Sequence, residues 1–138
     1  MFFSYSLELR QSQKLTLEQK FFGRFTMASL ATCPKCGHIL TEKEIMSGFG
    51  DDPYDFKTAC PKCGNNFLSN LIIKSSEKEK EPEPVVFMCR IQTLEAMSDI
   101  IKERGRIGIS YLGKNNRQLF YNMVKHFGSY TKALQNLN

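Results

Sequence analysis

The sequence contains no tryptophan and only two histidines, His38 and His126. Its aromatic content is carried instead by 11 Phe and 5 Tyr. So few histidines do not make the metal constellation of a nuclease. No Ser/His/Asp, Cys/His or paired-carboxylate pattern stands out either, so catalysis is not expected. Long apolar runs are also missing. No stretch approaches the roughly 18 apolar residues of a membrane-spanning helix. The opening MFFSYSLELR lacks a basic leader region, and its apolar run is too short for a signal peptide. The 5 cysteines are an odd number, which argues for a reducing compartment. A cytoplasmic location is expected.

What the sequence does contain is a repeated pentapeptide. Cys33-Pro34-Lys35-Cys36-Gly37 reads CPKCG, and Cys60-Pro61-Lys62-Cys63-Gly64 reads CPKCG again. The two CxxC pairs are separated by 23 residues, a four-thiolate zinc pattern. Each pair can form a tight knuckle. Pro34 and Pro61 pre-set φ, while Gly37 and Gly64 can turn left-handed so that both sulfurs face one ion. Two disulfides or two coincidental turns are the alternatives; an identical knuckle pair favours one structural Zn2+ on Cys33, Cys36, Cys60 and Cys63. Four thiolates already saturate that ion, which sets His38 aside as a ligand. Cys89 is left over, and a buried thiol on a short strand is its expected place.

The 138 residues suit one ordinary domain or two small ones. The formal charge is +5, and four thiolates with one dication contribute about −2. Residues 101–138 alone carry +6 (Lys102, Arg104, Arg106, Lys114, Arg117, Lys125 and Lys132 against Glu103). Such a cationic segment suits a polyanion, or is an ordinary solvated surface.

Residues 1–32 read as an arm. Tyr5, Leu7 and Leu9, then Leu15 and Leu17, alternate like strands, and Thr16 can instead start a helix closed by Gly23. Residues 33–73 form the metal module. Thr41-Glu42-Lys43-Glu44 predicts a capping box and a helix over 42–47, stopped by Gly48. Phe49 is expected against the knuckles. A turn at Asp51-Asp52-Pro53 precedes a strand from Tyr54 to Ala59, and Phe67 to Ile73 is the strand leaving the second knuckle, with Leu68, Leu71, Ile72 and Ile73 expected to bury one side. Residues 74–84, KSSEKEKEPEP, have nothing to bury and read as an extended linker between separate units.

Residues 85–138 read as helical. Val85 to Cys89 is a short apolar run. Thr93 is the expected N-cap of a helix ending near Arg104 with Gly105 as its cap. Ile107 and Ile109 mark an extended connector. Asn115 or Asn116 starts a second helix with an inward stripe of Leu119, Phe120, Met123, Val124 and Phe127, stopped by Gly128. Ser129 caps a third helix with Tyr130, Ala133, Leu134 and Leu137 inward. The expected class is α+β: a four-cysteine zinc ribbon with a small antiparallel sheet, joined by a charged linker to a three-helix, helix-turn-helix-like tail.

Three stretches resemble known families. LELRQSQKLT resembles the opening of enhancer-dependent sigma factors. Phe127-Gly128-Ser129-Tyr130 with Ala133-Leu134 resembles the homing-endonuclease-associated repeat, which implies a small helical DNA-binding unit; its usual HNH nuclease companion is absent. CPKCG, LTEKEIMSGF and DDPYDFKTACPKCGNNFLSNLII are similar to the cysteine-rich segment near the C-terminus of large DENN-domain proteins. That resemblance implies a zinc module and its fold, with Phe49 where Trp is usual, but not exchange activity.

The expected function is a zinc-binding, nucleic-acid-associated accessory or regulatory protein. Lys114, Arg117, Lys125 and Lys132 would contact phosphates, and Asn116, Tyr121 and Asn122 bases or sugars. Arg117, Tyr121 and Lys125 recur at helical spacing and would be presented on one face. The alternative is a protein-interaction adaptor using the ribbon, with Tyr54, Phe56 and Phe67 as candidate contacts.

Overall fold

The structure, a computed structural model, describes residues 17–77 and 79–137, with only the backbone of Leu17 and Glu18. The expected strand pieces at Tyr5 to Leu15, the helix start at Thr16 and the sigma-like stretch lie outside the described residues. The architecture is α+β, with two small antiparallel sheets and six helices among the described residues. None of these helices is long and apolar enough to cross a membrane.

Helix α1, Leu17–Phe22, ends at Gly23, whose φ of +71° needs a glycine. Strand β1, Phe25–Leu30, follows directly; it was not expected from the sequence. Its side chains alternate half-buried and exposed. Helix α2, Glu42–Ser47, starts with the expected capping box. Thr41 Oγ1 accepts from the Glu44 amide at 3.2 Å, and a Glu44 carboxylate oxygen accepts from the Thr41 amide at 2.9 Å. Strands β2, Lys57–Ala59, and β3, Asn66–Leu68, flank the second knuckle and pair from Lys57↔Leu68 to Ala59↔Asn66. Strand β4, Asn70–Ser75, pairs with β1 from Phe25↔Ser75 to Leu30↔Asn70. Strand β5, Glu83–Val86, pairs with the other edge of β4, giving the order β1-β4-β5.

Several expectations on the strands are corrected. The Tyr54–Ala59 strand shrinks to Lys57–Ala59. The Asp52 and Asp55 carboxylates accept the amides of Tyr54 and Lys57 at 2.9 and 3.1 Å, and these local bonds hold a turn instead. The Phe67–Ile73 strand breaks at buried Ser69 because β3 and β4 belong to different sheets. The break is pinned by the Phe87 amide, which donates to the Ser69 carbonyl at 3.0 Å. Residues 74–84 do not separate two units: Lys74 and Ser75 complete β4, and Glu83 and Pro84 open β5. Pro84 is tolerated because β5 is an edge strand.

Four helices follow rather than three. Helix α3, Arg90–Arg104, is capped by Cys89, not Thr93. Cys89 Sγ accepts from the Gln92 amide at 3.5 Å, and Gln92 Oε1 accepts from the Cys89 amide at 2.9 Å. The thiol thus stands where Ser or Thr stands in the usual capping box, while Thr93 is buried and donates to the Cys89 carbonyl at 2.8 Å. Helix α4, Ile109–Asn115, replaces the expected connector because Ile109 and Leu112 are buried. Helix α5, Arg117–Phe127, and helix α6, Tyr130–Gln135, are capped by Asn116 and Ser129, with Gly128 at φ +94° between them.

One core joins the N-terminal and C-terminal halves. Phe22 stacks on Phe120 at 3.6 Å between ring centroids, and Phe25 packs edge-on against Phe120 and Tyr121. Phe49 sits 6.0 Å from the Phe87 ring, so its apolar role is towards the helical half. Polar links cross as well. Gln92 Nε2 donates to the carbonyls of Asp55 and Asp52 at 2.6 and 3.2 Å. Lys125 Nζ lies 2.6 Å from Glu42.

Candidate metal centre

Two loops of the same build present the cysteines. In the first, the Gly37 amide donates to the Cys33 carbonyl at 2.9 Å, and the Cys33 amide to the His38 carbonyl at 2.9 Å. In the second, Gly64 donates to Cys60 and Cys60 to Asn65, both at 2.8 Å. Gly37 and Gly64 share a φ of +78°. Each loop supplies one buried cysteine, Cys33 or Cys60, and one exposed cysteine, Cys36 or Cys63.

The four sulfurs lie within 4.8 Å of one another. The Cys33–Cys63 and Cys36–Cys60 separations are 3.5 and 3.6 Å. Both are far beyond a disulfide bond of about 2.05 Å. Both are close to the roughly 3.8 Å edge of a tetrahedron drawn around an ion with metal–sulfur bonds of about 2.3 Å. The group is therefore placed to hold one metal ion.

Local donors support charge on the Cys33 sulfur. Burial would push the Cys33 thiol up. The amides of Cys36 and Lys35 and the neighbouring thiols outweigh it and bring Cys33 down to about 6. Cys63 behaves oppositely. The Asn65 amide favours its thiolate, but burial and the three neighbouring sulfurs push it up to about 11. Cys33 therefore loses its proton well before Cys63, and a dication would remove the repulsion that holds the Cys63 proton on. The sequence reading passed over Asn65, whose Nδ2 donates to Cys33 Sγ at 3.8 Å. An amide side chain directly after the CPKCG loop is the signal that points to it.

His38 stands apart from the sulfurs. Its Nε2 lies 3.2 Å from a Glu44 carboxylate oxygen. The Thr41 amide first, and His38 second, hold that carboxyl below its ordinary value. His38 thus braces the capping box at the start of α2.

The seven residues expected to meet nucleic acid do not form one exposed face. Tyr121 and Asn122 are buried. Asn122 accepts from the Met88 amide at 2.8 Å and donates to the carbonyls of Val86 and Gln118, both at 2.8 Å. The expectation that Arg117, Tyr121 and Lys125 share an exposed face is thereby corrected, because α5 is enclosed on more than its apolar stripe. Arg117 grips Glu83 through two bonds of 2.9 Å and donates to the Tyr121 hydroxyl at 2.8 Å. Asn116 is occupied as an N-cap, accepting from Leu119 at 3.1 Å. Lys125 is held by Glu42, while Lys114 and Lys132 are exposed.

No protein-family model matches the chain, and no solved structure matches it.

Proposed function

We propose that this chain is a zinc-stabilised protein-interaction module. One structural Zn2+ is bound by Cys33, Cys36, Cys60 and Cys63 in a zinc ribbon. The observation that carries the reading is the convergence of four sulfurs from two matched loops. All-sulfur tetrahedral shells favour zinc among the common divalent ions. Such a shell fills every coordination position, leaving none for an activated water, so the ion acts as a clasp and not as a catalyst. The likeness of the CPKCG repeat and the segment between its copies to the cysteine-rich segment of DENN-domain proteins supports the same reading.

A protein partner is favoured by what lies outward around the knuckles. Ile39 is 70% exposed, Leu30 50% and Leu68 49%. Ile39 faces Thr32 across a β-bridge, two positions from Leu30, and Leu30 faces Asn70, two positions from Leu68. Of the expected contacts Phe56 and Phe67 pack against the core and Tyr54 is outward; Leu68, expected on the buried side, is outward as well because β3 lies outside the β1-β4-β5 sheet. Such an apolar surface beside polar loops suits a protein interface.

A second reading, nucleic-acid association, is favoured by a different group. The Arg104 guanidinium lies 4.0 Å over the Tyr111 ring, and Lys102, Arg106 and Lys114 are exposed on the same stretch of chain. The Gly128-Ser129 turn between α5 and α6 would be its helix-turn-helix element. One experiment separates the two readings. The zinc-loaded chain and an Ile39→Asp/Leu68→Asp variant are compared for capture of a protein partner and for binding to DNA and RNA across a salt series. A protein retained by the wild type and lost by the zinc-replete variant supports the adaptor. Nucleic-acid binding that falls steeply with salt, unchanged in the variant, contradicts it.

A further inference from the structure

Four tyrosines lie among the described residues, and the rings of three of them are buried or half-buried. Tyr121 and Tyr130 are 1% and 8% exposed. Tyr111 is half-buried beneath Arg104. Tyr54 differs. It is 63% exposed at the tip of the 51–56 loop, and its hydroxyl donates to Asp99 Oδ2 at 3.0 Å with Glu95 Oε1 at 3.4 Å. Both carboxylates belong to α3, so this ring is one of the links between the metal module and the helical half. Asp51, Asp52 and Asp55 flank it in the chain.

We propose that Tyr54 is a phosphorylation site for a tyrosine kinase, and that the phosphate releases the 51–56 loop from helix α3. The flanking aspartates offer the charge pattern that a basic kinase groove reads. The kinase moves the γ-phosphoryl group of a nucleoside triphosphate onto the phenolic oxygen. The new P–O bond forms as the bond to the β-phosphate oxygen breaks. The phenolic proton passes to the kinase's base, and the nucleoside diphosphate leaves.

The product removes the donor that Asp99 now uses. It also places a charge of about −1.5 to −2 against two carboxylates. The hydrogen bond to Asp99 chiefly holds the phenol's pKa above its ordinary value, with burial next and the negative charges of Asp99 and Glu95 behind it. A phosphate loses that hydrogen bond and meets the repulsion at higher charge. Gln92, bonded to the Asp52 and Asp55 carbonyls, then carries the loop's attachment with much less support. The proposal does not rest on the zinc reading and shares with the partner reading only the exposure of Tyr54, so it survives the failure of either.

The test uses the full metal-loaded chain, a broad-specificity tyrosine kinase domain and Mg2+ with ATP. The isolated peptide Asp51–Lys57 serves as the sequence control. Phosphate is expected on Tyr54 in both and absent from a Tyr54→Phe chain. Amide exchange over 52–57 and the first turns of α3 is expected to quicken about tenfold, less at high salt. Failure to modify the peptide, or modification of the peptide but not the folded chain, overturns the site. Phosphorylated Tyr54 with unchanged exchange overturns the release.

Discussion

Gly48 gives a test in which the sign of the result decides. It closes α2 with φ −89° and ψ −7°, a conformation open to any residue, so conformational freedom does not explain a glycine there. Close approach does. Its carbonyl accepts from the Ala59 amide at 3.0 Å. A Cβ at this position would lie 2.6 Å from the Ala59 carbonyl oxygen and 2.9 Å from its nitrogen, and would meet Thr58 Oγ1. Thr58 is fully buried and donates to the Ile45 carbonyl at 2.7 Å, so it cannot swing aside. Gly48→Ala must therefore push β2 away from α2. Overpacking of this kind costs about 1–3 kcal/mol, and the strained hydrogen bonds about 1 kcal/mol more. The usual benefit of Gly→Ala in the unfolded state, about 0.4–1 kcal/mol, acts the other way. A net loss of roughly 2 kcal/mol is expected in denaturant unfolding of the metal-loaded chain. Because β2 feeds Cys60, metal retention should weaken too. A variant as stable as the wild type, or more stable, refutes the close-approach account.

Cys36→Ser removes one of the four sulfurs, and its effect should reach beyond the knuckles. The halves share a core and the Gln92 and Lys125 links, so amides of α5 should lose protection together with those near the metal. Unchanged α5 exchange in a metal-depleted variant contradicts the shared core. His126 predicts a pH response. Burial lowers its pKa below the ordinary 6.5, although its Nε2 donates to the Met88 carbonyl at 2.6 Å. The unfolded chain then binds the proton more readily, so stability is present above about pH 6.5 and is lost as pH falls below it. His126→Gln, which keeps a donor for Met88, should flatten that part of the denaturation-midpoint profile between pH 7.5 and 5.5. An unaltered profile contradicts this cause.

What was legible in the sequence was local. The CPKCG loops, the Thr41–Glu44 capping box, and the turns at Gly105 and Gly128-Ser129 are each specified within a few residues, and their physics does not depend on distant partners. What was not legible was set by long-range pairing. β1 exists because Phe25–Leu30 meets Asn70–Ser75 far along the chain. The charged run 74–84 reads as solvated until Arg117 supplies the partner of Glu83. Asn122 reads as a polar contact residue until it closes the backbone groups of Val86 and Met88. The Cys89 cap was missed for a simpler reason: thiols rarely serve as caps, and the neighbouring Thr93 is the better intrinsic candidate. These misreadings also displaced the site residues. Tyr121 and Lys125, taken as free for a ligand, are among the side chains that join the two halves.

The most direct measurement of the central reading is metal stoichiometry, combined with X-ray absorption and a thiol count on the purified chain. The account predicts one zinc per chain, a shell of four sulfurs at about 2.3 Å, and Cys89 as the single thiol open to reagent until a chelator exposes the other four. Two disulfides, all five thiols reactive in the untreated chain, or an ion with nitrogen or oxygen in its shell would contradict it.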